Sequence, residues 1–189
     1  MADELTAAHS ELILGGQRSG KSRRAESLAI AWLADAPGRR AVMIATGQPW
    51  DDEMRKRIAR HKTDRAERLP AMKTVEEPLL VPEAIAWHSK PGTLIVVDCL
   101  TLWLTNWLMP MEGVRPGDVP YAALGQSLKE AAGPVILVSN EIGLGVVPMG
   151  REVRAFVDAQ GRLNQDMARL CERVTLMAAG LPVTMKDAA

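Results

Sequence analysis

Short unbroken apolar runs recur along the chain, and between them apolar positions spread out to helical spacing. Leu12-Ile13-Leu14 predicts a buried strand ending in glycines. From Lys21 to Ala34, the residues Ala25, Leu28, Ala29 and Trp32 return at helical intervals until "DAPG" at 35–38 stops them. "AVMIAT" (41–46) predicts a second buried strand broken by Gly47, and Asp51-Asp52 opens a basic amphipathic helix, since acids are favoured in a first turn. Residues 63–77 are polar and give no clear period, with a short edge strand expected near Thr74-Val75. A helix over Pro78–Trp87, with Pro82 early in it, leads to a third strand at "TLIVV" (93–97) and a helix over 100–109. "PMEGVRPGDVP" (110–120) is a loop, 121–132 a helix and "VILVS" (135–139) a fourth strand. A long helix follows over about 151–173, in which Gly161 predicts a bend or interruption. Two strands at 174–178 and 183–185 close the chain around "AGLP".

Apolar strands alternating with helices predict an α/β fold with a mostly parallel central sheet and helices on both faces. A length of 189 residues suits a single domain, with residues 1–10 as a flexible tail. Neither an internal repeat nor a low-complexity tract interrupts it.

Composition changes this picture little. Hydrophobic residues make up 47% and charged residues 24%, and the formal net charge is +0, so nothing calls for a nucleic-acid partner or a membrane surface. The apolar run from Leu94 to Met111 contains Asp98, Thr101, Thr105, Asn106 and Pro110, which argues against a membrane span. "MADELTAAHSE" lacks the basic and apolar regions of a secretory signal, and the expected location is cytoplasmic. Cys99 and Cys171 form neither a disulfide framework nor a metal box and read as buried small side chains.

The chemistry enters with "GGQRSGKS". Gly15, Gly20, Lys21 and Ser22 satisfy the phosphate-loop pattern G-x-x-x-x-G-K-[ST], with a strand before and a helix after. Glycines let backbone N–H groups turn towards phosphates, and the helix N-terminus adds its partial positive charge. Lys21 reaches the β- and γ-phosphates, and the Ser22 hydroxyl suits Mg²⁺. Such sites also want an acid at the end of another strand. Asp98 ends the "TLIVV" strand and is the best candidate for that role; the alternative reading is a helix N-cap, and the two are compatible.

Of three histidines, His9 and His88 read as solvated. His61 falls in register with Met54 and Ile58 on the apolar side of its helix. Periodicity alone makes it a half-buried structural histidine. Its neighbours Arg60, Lys62 and Arg65 make a second reading possible: they attract phosphate and disfavour imidazolium, leaving a neutral nitrogen able to attack phosphorus.

Taken together, "GGQRSGKSRRAE", "IATGQPWDDEMRKRIARHKTDR", "KTVEEP", "VVDCLTLWLTNWL", "VSNEIGLGVVP", "GRLNQ" and "AGLPVTMK" resemble the bifunctional adenosylcobinamide kinase/adenosylcobinamide-phosphate guanylyltransferase family of cobalamin biosynthesis. The resemblance implies a P-loop NTPase-like fold, a homotrimer and two reactions. ATP or GTP first phosphorylates adenosylcobinamide. GMP from GTP then passes through a guanylylated histidine to that phosphate, giving adenosylcobinamide-GDP and pyrophosphate. By the same resemblance His61 is that histidine; Lys21 is the second catalytic residue, from its place in the phosphate loop. Nucleotide contacts fall on Gly15, Gly16, Gln17, Arg18, Ser19, Gly20, Lys21 and Ser22, on Ala45, Thr46 and Gly47, on Lys62, Thr63, Asp64 and Arg65, and on Glu76 and Asp98. Ser22 and Asp98 hold Mg²⁺. This chain departs from the family in two places. It has no Trp in "AERLPAMKTVE", and it reads "VPMG" (147–150) where the family often reads "VPEN". Asn140 and Glu141, just past a strand end, suit either a substrate or metal contact or a helix entry. The competing reading is a simple P-loop small-molecule kinase in which His61 is structural.

Overall fold

The computed structural model describes residues 5–113 and 117–188; the middle of the predicted 110–120 loop lies outside them. Seven strands, β1 (Ser10–Gly15), β2 (Arg40–Ala45), β3 (Met72–Glu76), β4 (Thr93–Asp98), β5 (Val135–Val138), β6 (Arg173–Ala178) and β7 (Leu181–Asp187), form one sheet. Its order is β3-β2-β4-β5-β1-β6-β7. Every neighbouring pair is parallel except β6 and β7, which form an antiparallel hairpin. The helices are α1 (Lys21–Asp35), α2 (Asp52–Arg68), α3 (Val81–His88), α4 (Leu100–Leu108), α5 (Tyr121–Lys129) and α6 (Arg151–Leu170).

Successive strand side chains point to opposite faces, so strands that are apolar throughout must be covered on both. Leu12, Leu14, Ile95, Val97, Val135 and Leu137 pack with Ile85 of α3, Trp103 and Leu104 of α4, Leu124 of α5 and Leu163 and Met167 of α6. The alternate set, Ile13, Met43, Leu94, Val96, Ile136 and Val138, packs with Ala25, Leu28 and Ala29 of α1. The expected α/β architecture with helices on both faces is the one observed.

Three local expectations need correction. The polar stretch after Thr63 continues α2 to Arg68 before β3 begins. That half of the helix is held by charge: Arg65 is buried, and Arg68 pairs at 3.2 Å with the buried Glu26 of α1. Gly161 does not interrupt α6, because Gln160, Leu163, Asn164 and Met167 are buried around it and fix the helix by packing. The helix ends at Leu170 rather than at Arg173, which opens β6 instead. Of the expected N-terminal tail, residues 1–4 lie outside the described residues. Thr6 accepts a bond from Arg173, the His9 carbonyl accepts one from the Val135 N–H, and Ser10 already begins β1.

Candidate active site

The carboxyl ends of β1, β2, β4 and β5 open on one side of the sheet, where α/β folds place ligands. A cleft of about 850 Å³ lies there, walled by the loop after β1, by α2 and by the segment after β5.

The loop after β1 is shaped for close approach to its own backbone. Gly15 has φ +150°, and a Cβ there would lie 2.6 Å from the Met177 carbonyl and 2.5 Å from Ser19 Oγ. Arg18 adopts φ +57° and Gly20 φ +101°, so the chain turns left-handed twice before α1 starts. α1 begins without a side-chain cap and without an acid in its first turn. Its leading N–H groups and dipole therefore face the cleft uncompensated, which suits an anion. α2 is the contrast: Asp51 caps it by accepting from the Met54 N–H at 2.7 Å, and Asp52 and Glu53 fill its first turn. Lys21 Nζ donates to the carbonyls of Gly15 (3.0 Å) and Gly16 (2.7 Å). Burial lowers its pKa, against the opposing pull of nearby Asp98.

His61 enters the same cleft from α2 beside Met54, Arg57, Ile58 and Arg65. Its pKa lies below the ordinary imidazole value, first because it is half-buried and then because Arg57, Arg60 and Arg65 surround it, while Asp98 pulls the other way. Asp98 thus acts electrostatically on both Lys21 and His61. Lys62 and Glu76 form an ion pair along the same wall.

Of the residues expected from sequence, Gly16, Gln17, Arg18, Ser19, Gly20, Lys21, Ser22, Ala45, Gly47, His61, Lys62, Arg65, Glu76 and Asp98 line the cleft. Four do not. Gly15 is buried beneath the loop. Thr46 is fully buried, and its hydroxyl donates to the Cys99 carbonyl (2.7 Å) and accepts from the Cys99 N–H (2.9 Å), bracing the turn that presents Asp98. Thr63 is exposed, and its hydroxyl is spent on the Ala59 carbonyl. Asp64, partly exposed on α2, is the fourth; of the two, only Thr63 is turned by helical periodicity away from the side carrying His61 and Arg65. Asn140 and Glu141 do line the cleft, as do Glu53, Lys56 and Arg57. The sequence signal for Arg57 and Glu53 was the α2 period, four and eight residues back from His61; Lys56 carried none.

Comparison with known proteins gives the family. The model of the cobinamide kinase/cobinamide phosphate guanyltransferase family matches residues 11–185. The chain belongs to that family. As a member it is a transferase with kinase and guanylyltransferase character. The chain is similar to a bifunctional adenosylcobalamin biosynthesis protein of Pseudomonas aeruginosa, with 48% identity covering 93% of this chain and 96% of that protein. Its likeness to the bifunctional adenosylcobalamin biosynthesis protein of Escherichia coli is 35%, covering 93% of this chain and 98% of the other. The Salmonella typhimurium protein of the same description is 36% identical.

Proposed function

We propose that the one cleft carries both reactions: phosphorylation of adenosylcobinamide by ATP or GTP, and transfer of GMP from GTP, through His61, onto the resulting phosphate. The observation that carries this reading is that Lys21 and His61 line the same cleft, with Asp98 acting on both.

In the kinase step there is little covalent work for the protein. The uncapped N-terminus of α1 and the backbone of Gly16–Ser22 hold the phosphates, and Lys21 neutralises charge developing on the β- and γ-oxygens. Ser22 and Asp98 offer hard oxygen ligands to Mg²⁺. Among the described residues no cluster of three or more His, Cys, Asp or Glu could hold a metal alone. That suits an ion bound jointly by one or two protein groups and substrate phosphates, the usual habit of Mg²⁺. The ion would draw negative charge from the phosphates.

In the guanylyl step the neutral imidazole of His61 attacks the α-phosphorus. The bond from that phosphorus to the bridging oxygen breaks, and pyrophosphate leaves. An oxygen of cobinamide phosphate then attacks the same phosphorus, and the electron pair of the P–N bond returns to His61. One hard displacement becomes two easier ones. Burial and the surrounding guanidiniums disfavour the charged form of His61, and the neutral ring is the form this role needs. We place the protein in the cytoplasm, as its sequence suggests, and as a homotrimer, from the family resemblance; no described helix is long and apolar enough to cross a membrane.

The test uses Mg²⁺ and GTP labelled at the α-phosphate, followed by denaturation. The expected adduct is acid-labile and alkali-stable, and it disappears in His61→Ala. A wild type that phosphorylates cobinamide yet retains no label would leave the simple kinase reading.

A further inference from the structure

Three displacements are assigned to this cleft, and they differ in one respect: the proton on the nucleophile. The imidazole of His61 attacks with a free lone pair, and the phosphate of the guanylyl acceptor attacks as an ionised oxygen. Only the hydroxyl of cobinamide carries a proton that must leave as its oxygen bonds to the γ-phosphorus. The kinase half needs a proton acceptor that the guanylyl half does not.

The cleft holds four carboxylates: Glu53, Glu76, Asp98 and Glu141. Glu53 is exposed in the first turn of α2, where it serves the helix dipole. Glu76 is engaged by Lys62. Asp98 acts electrostatically on Lys21, and the reading above gives it to Mg²⁺. Glu141 is the fourth, and its placement is specific. Its N–H donates to the Gly15 carbonyl at 3.1 Å, the same carbonyl that receives Lys21 Nζ at 3.0 Å. The carboxylate therefore springs from backbone bonded directly to the phosphate loop, next to the lysine that serves the γ-phosphate.

The carboxylate is also aimed. Oε1 accepts from the Gly143 N–H at 3.0 Å. Oε2 has only a long contact, 3.5 Å, from Asn164 Nδ2. Asn164 is itself locked from behind: Ser139 Oγ donates to its Oδ1 at 2.7 Å, Gln160 Nε2 does so at 3.0 Å, and its Nδ2 holds the Asn140 carbonyl at 3.0 Å. All three side chains are buried. One oxygen is thus tethered by a backbone N–H while the other stays weakly engaged at the cleft, oriented by a rigid third group.

We infer that Glu141 is the proton acceptor of the phosphoryl-transfer step and takes no part in guanylyl transfer. The acceptor oxygen forms its bond to the γ-phosphorus, the bond from that phosphorus to the β-bridging oxygen breaks, the nucleoside diphosphate leaves with the electron pair, and the proton passes to Glu141 Oε2 and then to water. This inference rests on the reading of the cleft given above.

Glu141→Gln keeps the shape and an Oε1 acceptor for Gly143 but cannot take a proton. Two assays are run on the same preparation. Cobinamide phosphorylation at saturating ATP should fall by about 100-fold or more, the scale of a lost general base, with the residual rate rising with pH. The KM for ATP and the labelling of His61 by α-labelled GTP should stay within about threefold of wild type. Glu141→Asp should recover part of the phosphorylation rate. Phosphorylation within about threefold of wild type, or an equal loss of both activities, would overturn the inference; the second outcome would make Glu141 a structural member of the Ser139–Gln160–Asn164 network. Failure of the His61 reading is seen separately, as absent labelling in the wild type.

Discussion

His61 sits half-buried among guanidiniums, and both conditions disfavour its charged form. Its folded pKa therefore lies below the ordinary 6.5. The rate of His61 guanylylation in a single turnover should fall on acidification with its inflection below 6.5, because the neutral ring is the nucleophile. An inflection at or above 6.5 would contradict this placement of the ring. The same shift has a stability sign. Below 6.5 the unfolded chain takes up a proton that the folded chain resists, so folding stability rises with pH through the window just under 6.5 and falls on acidification. His88 is shifted in the same direction, chiefly by burial. The contribution of His61 is therefore read as the difference between wild type and His61→Asn in urea titrations at each pH. The difference should be constant well above 6.5 and change below it, the wild type losing stability relative to the variant on acidification.

Among the elements, strands were the most legible. β1, β4 and β5 are buried almost throughout, so their continuous apolar runs announce a covered parallel sheet. The second half of α2 and the edge strand β3 were not. Arg65 is the one buried residue of that helix, its end is tied to α1 through Arg68 and Glu26, and β3 buries only Met72. Contacts made by charge leave no apolar period to read. The phosphate loop, His61 and Asp98 were legible as residue types, whereas the bracing role of Thr46 was not, since its partner Cys99 lies 53 positions away. In α6 local propensity misled: Gly161 predicts a break, yet the helix runs through it. A Cβ built at Gly161 meets no heavy atom within 4 Å. Gly161→Ala removes backbone freedom from the unfolded chain at no packing cost and should stabilise the protein by about 0.5–1 kcal/mol. Differential scanning calorimetry should show a rise of about 1–4 °C. A fall in Tm would mean that the helix is strained at this position.

At the scale of the whole molecule, the segment leading into α6 stands out. Leu144, Val146, Val147 and Met149 are between 74 and 96% exposed, and Val153 on the first turns of α6 is half exposed. Leu181 and Val183 on the edge strand β7 are also open to solvent. A chain with formal net charge +0 has little electrostatic repulsion to keep such surfaces apart. Contiguous apolar exposure of this kind marks a surface that something covers. The homotrimer proposed above from the family resemblance would supply the occupant: two further copies of this chain. Light scattering coupled to size exclusion should give a wild-type mass about three times 20.6 kDa. The Val146→Asp/Met149→Asp double variant should shift towards 20.6 kDa, because both side chains are almost fully exposed and their replacement costs the isolated fold little. A wild type of monomeric mass would remove the self-association reading. An unchanged trimeric mass with a raised KM for cobinamide would assign the segment to the corrinoid instead. The segment begins at Ile142, which lines the cleft, immediately after the carboxylate of Glu141. Whatever covers these apolar side chains therefore lies within a few residues of the group inferred to take the proton. Assembly and phosphoryl transfer should respond together to changes there, whereas guanylylation of His61, on the opposite wall, should not.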